Sequence, residues 1–375
     1  MVVISGLRHE AVGNDTLAYI MAYEQYGTES WSALLGNFVD NYLNPMSNAE
    51  KDPGFRVFVK ILYTIIPDAR FLLFVAATIM LGGLGYFNGK NSKSLETTLF
   101  SYIFFISLFY GYLPNSAVRQ SITVGLCLFG YTYLQEHRYL LCLMMFFLGT
   151  IFHKSGLIAI LLFPMFYFIN SLKFYKYAFV VFALALMFSN QMALVFMDQN
   201  AIYDGYLSGD YYGNNNESRP YMIILLFFGL YAISWFGLCK GSKVKSHELK
   251  YSGASLALIL LPLVWVNPSL IRIVGYFAPF MGIVVAESFE KLQKGSLIRK
   301  CVIVIFLLNS LSSIDSFKFM WQQKELHERY SHNFERLKYG QTCICSTMTN
   351  FCPKDMDIRC NVESHEKNVL PSLML

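Results

Sequence analysis

Hydrophobic positions run in long blocks along most of this 375-residue chain, and polar residues gather in short breaks between them. A helix needs about 20 residues to cross a hydrocarbon core of roughly 30 Å, somewhat fewer where flanking residues snorkel. Blocks of that kind, charge-free or nearly so, fall near 70–88, 97–114, 117–135, 139–153, 155–172, 175–197, 220–239, 250–267, 269–287 and 298–315. The pattern predicts an all-α fold, a polytopic transmembrane helix bundle of about ten spans. The stretches 177–197 and 220–239 contain no charged residue, whereas 139–153 and 298–315 have short apolar centres. Pro164, Pro262 and Pro279 fall inside blocks, where neighbouring helices can satisfy the freed carbonyls.

Three regions follow from this pattern. Residues 70–315 form the bundle, 1–69 an outer-side segment, and 316–375 a polar, poorly ordered tail. Within the first segment, residues 55–66 (FRVFVKILYTII) are apolar but too short to cross, and they contain Arg56 and Lys60. An amphipathic helix lying in the interface fits them better than a span. Met1 to Ile4 (MVVI) reads as the last turn of a hydrophobic helix, with no cleavable signal peptide before it. An eleventh span with a cytoplasmic N-terminus is therefore expected ahead of this sequence.

Composition and charge sharpen the picture. The chain is 55% hydrophobic and only 15% charged, with a mean hydropathy of +0.40. Average soluble domains carry about 25% charged residues, so a solvated globule and a disordered coil are both excluded. The net charge of +5 matters less than where the cations lie. Lys90 and Lys93, Arg138, Lys173 and Lys176, then Lys240 to Lys250, then Lys291 to Lys300 mark every second loop as basic. The basic loops are assigned to the cytoplasm and the acidic 198–219 loop to the outside. Four of the eight cysteines, Cys343, Cys345, Cys352 and Cys360, lie in the tail at a spacing that matches no zinc pattern.

Ionisable groups at membrane depth are costly, so they are the first candidates for function. Arg119 in AVRQ, His153 and Lys154 in IFHKSG, and Arg272 in NPSLIRIVGYF stand on the predicted outer side, against the positive-inside bias. From Arg119 down to the turn near Glu136 is about 17 residues, or roughly 25 Å of helix, and the return to His153 is about 14 residues, or roughly 21 Å. His153 is thus expected at nearly the depth of Arg119, and Arg272 opens another descending helix at that level. The acidic first segment adds Arg8 and Asp15 beside them. Singly, an Arg one turn inside a helix often snorkels to the headgroups, and a His at a helix end is often only capped. Lys154 reads as an interface anchor. Together these groups suggest an anion, because guanidiniums chelate phosphate oxygens in a fixed fork. No P-loop, dinucleotide fingerprint, zinc-protease motif or nucleophile elbow is present, and no nucleic-acid partner, metal or cofactor is expected.

An ordered series of segments resembles the EpsG family of polysaccharide polymerases, relatives of the Wzy O-antigen polymerases. LRHEAVGNDTLAYIMAYEQ (7–25), DPGF (52–55, with Asp52 where the family has Glu), AVRQSITVGLCLF (117–129), FHKSGLIAI (152–160) and IRIVGYF (271–277) carry the likeness. The resemblance implies a glycosyltransferase-C-like bundle in the bacterial cytoplasmic (inner) membrane, with its site facing outward. It implies transfer of a chain from undecaprenyl pyrophosphate onto a new lipid-linked oligosaccharide repeat unit, yielding O-antigen, capsule or exopolysaccharide. Arg119, Arg272 and Arg8 would hold the pyrophosphate, and His153 or Asp15 would take the acceptor proton. Gln120 and Tyr276 are further substrate-binding candidates. Membrane lipids and a chain-length regulator are the other candidate partners. A lipid-linked oligosaccharide flippase, a membrane acyltransferase and an O-antigen ligase remain alternatives. A flippase would need cations at mid-depth between related halves, an acyltransferase would reach its thioester donor from the cytoplasmic side, and the ligase is the hardest to separate.

Overall fold

The computed structural model describes residues 1–8, 12–13, 15–43, 52–111, 113–162, 171–188, 191, 221–239, 248–266 and 270–291. The expected span at 298–315, the acidic 198–219 loop, the cysteine-bearing tail and Pro164 lie outside them. The described residues are helical, with no strand among them. In chain order the elements are α1 (Val2–Gly6), α2 (Thr16–Thr28), α3 (Trp31–Leu43), α4 (Pro53–Ile65), α5 (Ala69–Asn91), α6 (Leu95–Phe109), α7 (Val118–Gln135) and α8 (Tyr139–Phe152). A 3-10 segment (Lys154–Leu161) follows, then α9 (Ser171–Met187), α10 (Tyr221–Cys239), α11 (Leu249–Leu260), α12 (Leu263–Val266), α13 (Ile271–Val274) and α14 (Ala278–Lys291).

Local chemistry sets several of these boundaries. The Asp68 carboxylate caps α5 by accepting from the Arg70 N–H at 2.9 Å, and the Ser94 hydroxyl caps α6 from the Thr97 N–H at 3.0 Å. Pro53 opens α4 at a position whose N–H has no helical partner in any case. Two of the hydrophobic blocks are interrupted. Pro262 offers no N–H to the helix, so α11 ends at Leu260 and Leu261 N–H closes onto Leu258 at 3.2 Å. In the next block α13 stops after one turn, and α14 restarts beyond Gly275–Phe277 with Pro279 in its first turn. Pro279 therefore helps begin a helix instead of kinking one. The block from 155 also starts as a 3-10 segment tucked against α7 and α8, not as an α-helix.

Among the described residues, α5 is the helix long and apolar enough to cross a membrane by length and composition. α6, α8, α11 and residues Ile223–Phe236 of α10 are shorter apolar helices. Several of them turn apolar side chains outward. On α8, Leu140, Leu143, Met144 and Phe147 recur at helical spacing and are exposed, as are Tyr177, Val180, Leu184 and Met187 on α9. Water tolerates such continuous apolar surface poorly, whereas lipid does not penalise it.

Two packed regions position the rest. α5 lies along α7, and α7 packs in turn on α8 and the 3-10 segment. α14 packs on α6, α10 and α11, and α9 on α11. A large aromatic core built from Phe104, Phe109, Tyr131, Phe227, Phe280 and their neighbours runs through both regions. A smaller cluster of Tyr19, Phe55, Val59, Leu72, Val118 and Ile122 joins α2 and α4 to α5 and α7. Lys250, buried between Glu248 at 2.7 Å and Glu287 at 2.8 Å, ties α11 to α14. The α5–α7 contact depends on small residues, because a Cβ on Gly125 would lie 2.6 Å from the Ile79 carbonyl oxygen and 2.7 Å from Met80 Cα. Backbone cannot yield as a side chain can. Gly125→Val is expected to destabilise the detergent-solubilised protein by about 1–3 kcal/mol. Gly89→Ala, inside α5 but with nothing within 4 Å, should leave the thermal midpoint unchanged or raise it slightly.

Candidate functional site

The site grows from the ends of helices that converge on α2 and the start of α7. Arg8 follows α1 and is buried, donating from Nη1 to the Ser5 carbonyl at 2.7 Å and from Nε to the Thr16 hydroxyl at 3.3 Å. The Thr16 hydroxyl lies 2.6 Å from the Val12 carbonyl and 3.0 Å from that of Asn115, which fastens the first segment to the turn before α7. Gly13 makes this approach with φ at +94°, a conformation side chains rarely adopt. Burial pulls the Arg8 guanidinium down to about 10, while the neighbouring Tyr110 and Tyr19 oppose that shift.

Arg119 stands in the first turn of α7. Its Nη1 meets Asp52 Oδ2 at 2.9 Å, and its guanidinium lies over the rings of Tyr19 (5.9 Å) and Phe55 (5.8 Å). The other Asp52 oxygen accepts from the Lys154 backbone N–H at 3.4 Å. Asp52 thus links α4, α7 and the residue following His153, with its side chain only 6% exposed.

His153 ends α8 in an extended conformation and caps the 3-10 segment with its own ring. Nδ1 is 3.2 Å from the Ser155 N–H and 2.7 Å from Ser155 Oγ. A backbone N–H can only donate, so Nδ1 accepts and the neutral ring carries its proton on Nε2. Ser155 Oγ is also 2.7 Å from the buried Tyr276 hydroxyl, just beyond α13. Within α13, Arg272 Nη2 is 3.9 Å from Asp15 Oδ2, and Gln120 Nε2 donates to the Arg272 carbonyl at 3.3 Å. The Asp15 side chain stays 43% exposed, yet the protein packed on its other side desolvates the carboxyl and raises it above its usual range, while Arg272 and Arg119 pull in the opposite direction.

The sequence-derived candidates therefore meet. Asp52 and Lys154 join Arg119 to the His153 segment, Ser155 joins His153 to Tyr276, and Gln120 joins α7 to Arg272. Arg8 attaches through Thr16, the residue after Asp15. Among the described residues, three guanidiniums face two carboxylates, leaving positive charge in excess there. Each guanidinium keeps one buried donor nitrogen without a hydrogen-bond partner among the described residues: Arg8 Nη2, Arg119 Nε and Arg272 Nε. Such donors are costly to bury unmet, and an anion would satisfy them. The sequence reasoning did not place Ser155, Thr16 or Asp52 in the site. An Asp before Pro at a helix start reads as a cap, and no local signal reveals that its oxygens turn elsewhere.

These features define a helical protein with outward-turned apolar faces and a partly buried cationic cluster where helix ends meet. The chain belongs to the EpsG family, whose profile matches residues 1–321. Membership of that family, with the apolar helices, supports a membrane protein with a polysaccharide-polymerase-like role. No curated protein and no solved structure matches the chain.

The raised Asp15 carboxyl has a stability consequence of definite sign. A carboxyl raised on folding opposes the folded state once ionised, so its penalty is absent at low pH and grows as pH rises through the folded-state value. Asp15→Asn is expected to raise the thermal midpoint relative to wild type at pH 7. That advantage should vanish below about pH 4, the ordinary carboxyl range.

Proposed function

We propose that this chain is a polymerase that joins undecaprenyl-pyrophosphate-linked oligosaccharide repeat units on the outer face of the bacterial cytoplasmic membrane. The observation that carries the reading is the set of three guanidiniums, each with an unmet buried donor, in a member of the EpsG family. The acceptor hydroxyl oxygen of a new repeat unit attacks the anomeric carbon of the growing chain. The bond from that carbon to the phosphate oxygen breaks, and the lipid diphosphate leaves with the electron pair. Arg119, Arg272 and Arg8 receive the charge that develops on it, using donors already held in place. Little reorganisation is then needed at the moment of bond breaking.

The proton of the acceptor hydroxyl needs a base. Asp15 is the better candidate, because it is 43% exposed and only loosely paired to Arg272. When the diphosphate draws Arg272 towards itself, Asp15 loses its partner and becomes more basic. His153, carrying its proton on Nε2, serves as a hydrogen-bond donor to the substrate. Gln120 and Tyr276 hold the floor of the site through Arg272 and Ser155.

The test is complementation of a deletion strain, read as the polysaccharide banding pattern. Arg119→Ala and Arg272→Ala should each abolish long-chain polymer, a loss of at least ~10²-fold, while the protein still inserts. Normal chain lengths in both variants would remove the proposed site. In the deletion strain, core capped with a single repeat indicates a lost polymerase, and free lipid-linked polymer indicates a lost ligase instead.

A further inference from the structure

Asp52 stands at the N-cap of α4, where an aspartate usually accepts a hydrogen bond from the helix's own first turn. It makes no such bond. Both oxygens are spent on other elements, one on Arg119 Nη1 at 2.9 Å and the other on the Lys154 N–H at 3.4 Å. The residues after it bring the carboxylate to that place. Pro53 occupies the start of the helix, where its fixed backbone angle suits the first turn. Gly54 lets the start of α4 press against the end of α8, since a Cβ there would run into the Ile151 side chain and lie 2.7 Å from its carbonyl oxygen. Phe55 is buried against the edge of Tyr19, and the two rings flank the Arg119 guanidinium. Four consecutive residues thus bring one carboxylate between α7 and the His153 turn and hold it there.

We infer that Asp52 is a positioning residue that aims Arg119 at the lipid diphosphate and sets the distance from Arg119 to His153. The contrast with the second ion pair supports this division of labour. Asp52 is 6% exposed and in hydrogen-bond contact with its arginine, whereas Asp15 is 43% exposed and 3.9 Å from its own. A tight, dry pair fixes geometry, and a loose, wet one can exchange its partner for substrate. Asp52 leaves Arg119 Nε unpartnered among the described residues, so the guanidinium is oriented without being used up.

The inference rests on the proposed function, and the experiment separates the two. Binding of undecaprenyl pyrophosphate to the detergent-purified full chain is measured for wild type, Asp52→Ala, Arg119→Ala and the double variant. Arg119→Ala should weaken binding at least tenfold; unchanged binding there defeats the proposed function itself, whatever Asp52 does. With that loss in hand, Asp52→Ala should weaken binding about tenfold. The double variant should be no weaker than Arg119→Ala alone, because a residue that acts through another adds nothing once the other is gone. Additive losses would overturn the inference. Tighter binding by Asp52→Ala would overturn it too, by showing that the carboxylate competes with the diphosphate. Where Asp52→Ala fails to accumulate, Asp52→Asn keeps an acceptor for the Lys154 N–H and removes only the charge. It should also weaken binding, and wild-type affinity in that variant would overturn the inference. Asp52→Glu should restore part of the lost affinity.

Discussion

Taking a guanidinium out of water among helices is expensive unless its charge and its donors are met, and this bundle does so fully for Arg8 and in part for Arg119 and Arg272. Each arginine is met only in part. Arg8 leans on the Ser5 carbonyl and Thr16, Arg119 on Asp52 and two aromatic rings, and Arg272 on a distant Asp15. Several surrounding features lie beside these arginines and their partners. The chain turns at Gly13 to bring Thr16 beneath Arg8, the start of α4 is pressed onto α8, and the 3-10 segment replaces the expected start of a regular helix. Three of the arginine nitrogens stay unmet among the described residues, and the lipid diphosphate of the proposed reaction would complete them.

The two carboxylates divide the electrostatic work by exposure. Asp52, dry and hydrogen-bonded, locks an arginine in one orientation, while Asp15, half-exposed and held at longer range, can respond to charge arriving nearby. His153 is constrained in a third way, because a backbone N–H fixes which of its nitrogens carries the proton. A site made of groups at these different levels of restraint suits group transfer from a charged leaving group. In the proposed reaction, orientation, proton acceptance and charge stabilisation fall to separate residues.

Much of this was legible from the order of residues. The hydrophobic blocks located α5, α6, α7, α8 and α10 to within a few residues, because an apolar run of that length has few other uses. Arg119, His153 and Arg272 stood out since ionisable groups in such blocks need a reason. Helix rise alone brought Arg119 and His153 to one level, and the structure joins them through Asp52 and Lys154. Less legible were the interruptions at Pro262 and at Gly275–Phe277, where short helices replace continuous ones. Apolar content is the same in a whole helix and a broken one, so periodicity gives no warning.

The sequence by itself determined that the chain is helical and apolar along most of its length, and it showed which ionisable residues are out of place. These are properties of composition and period, and each residue carries them regardless of its distant neighbours. Partnership was decided only by the tertiary structure. Asp52 lies 67 positions from Arg119 and 102 from Lys154, and Gln120 reaches a carbonyl 152 positions away. Whether an aspartate caps its own helix or orients an arginine on another depends on which elements the packing brings within 3–4 Å, and no local pattern encodes that distance.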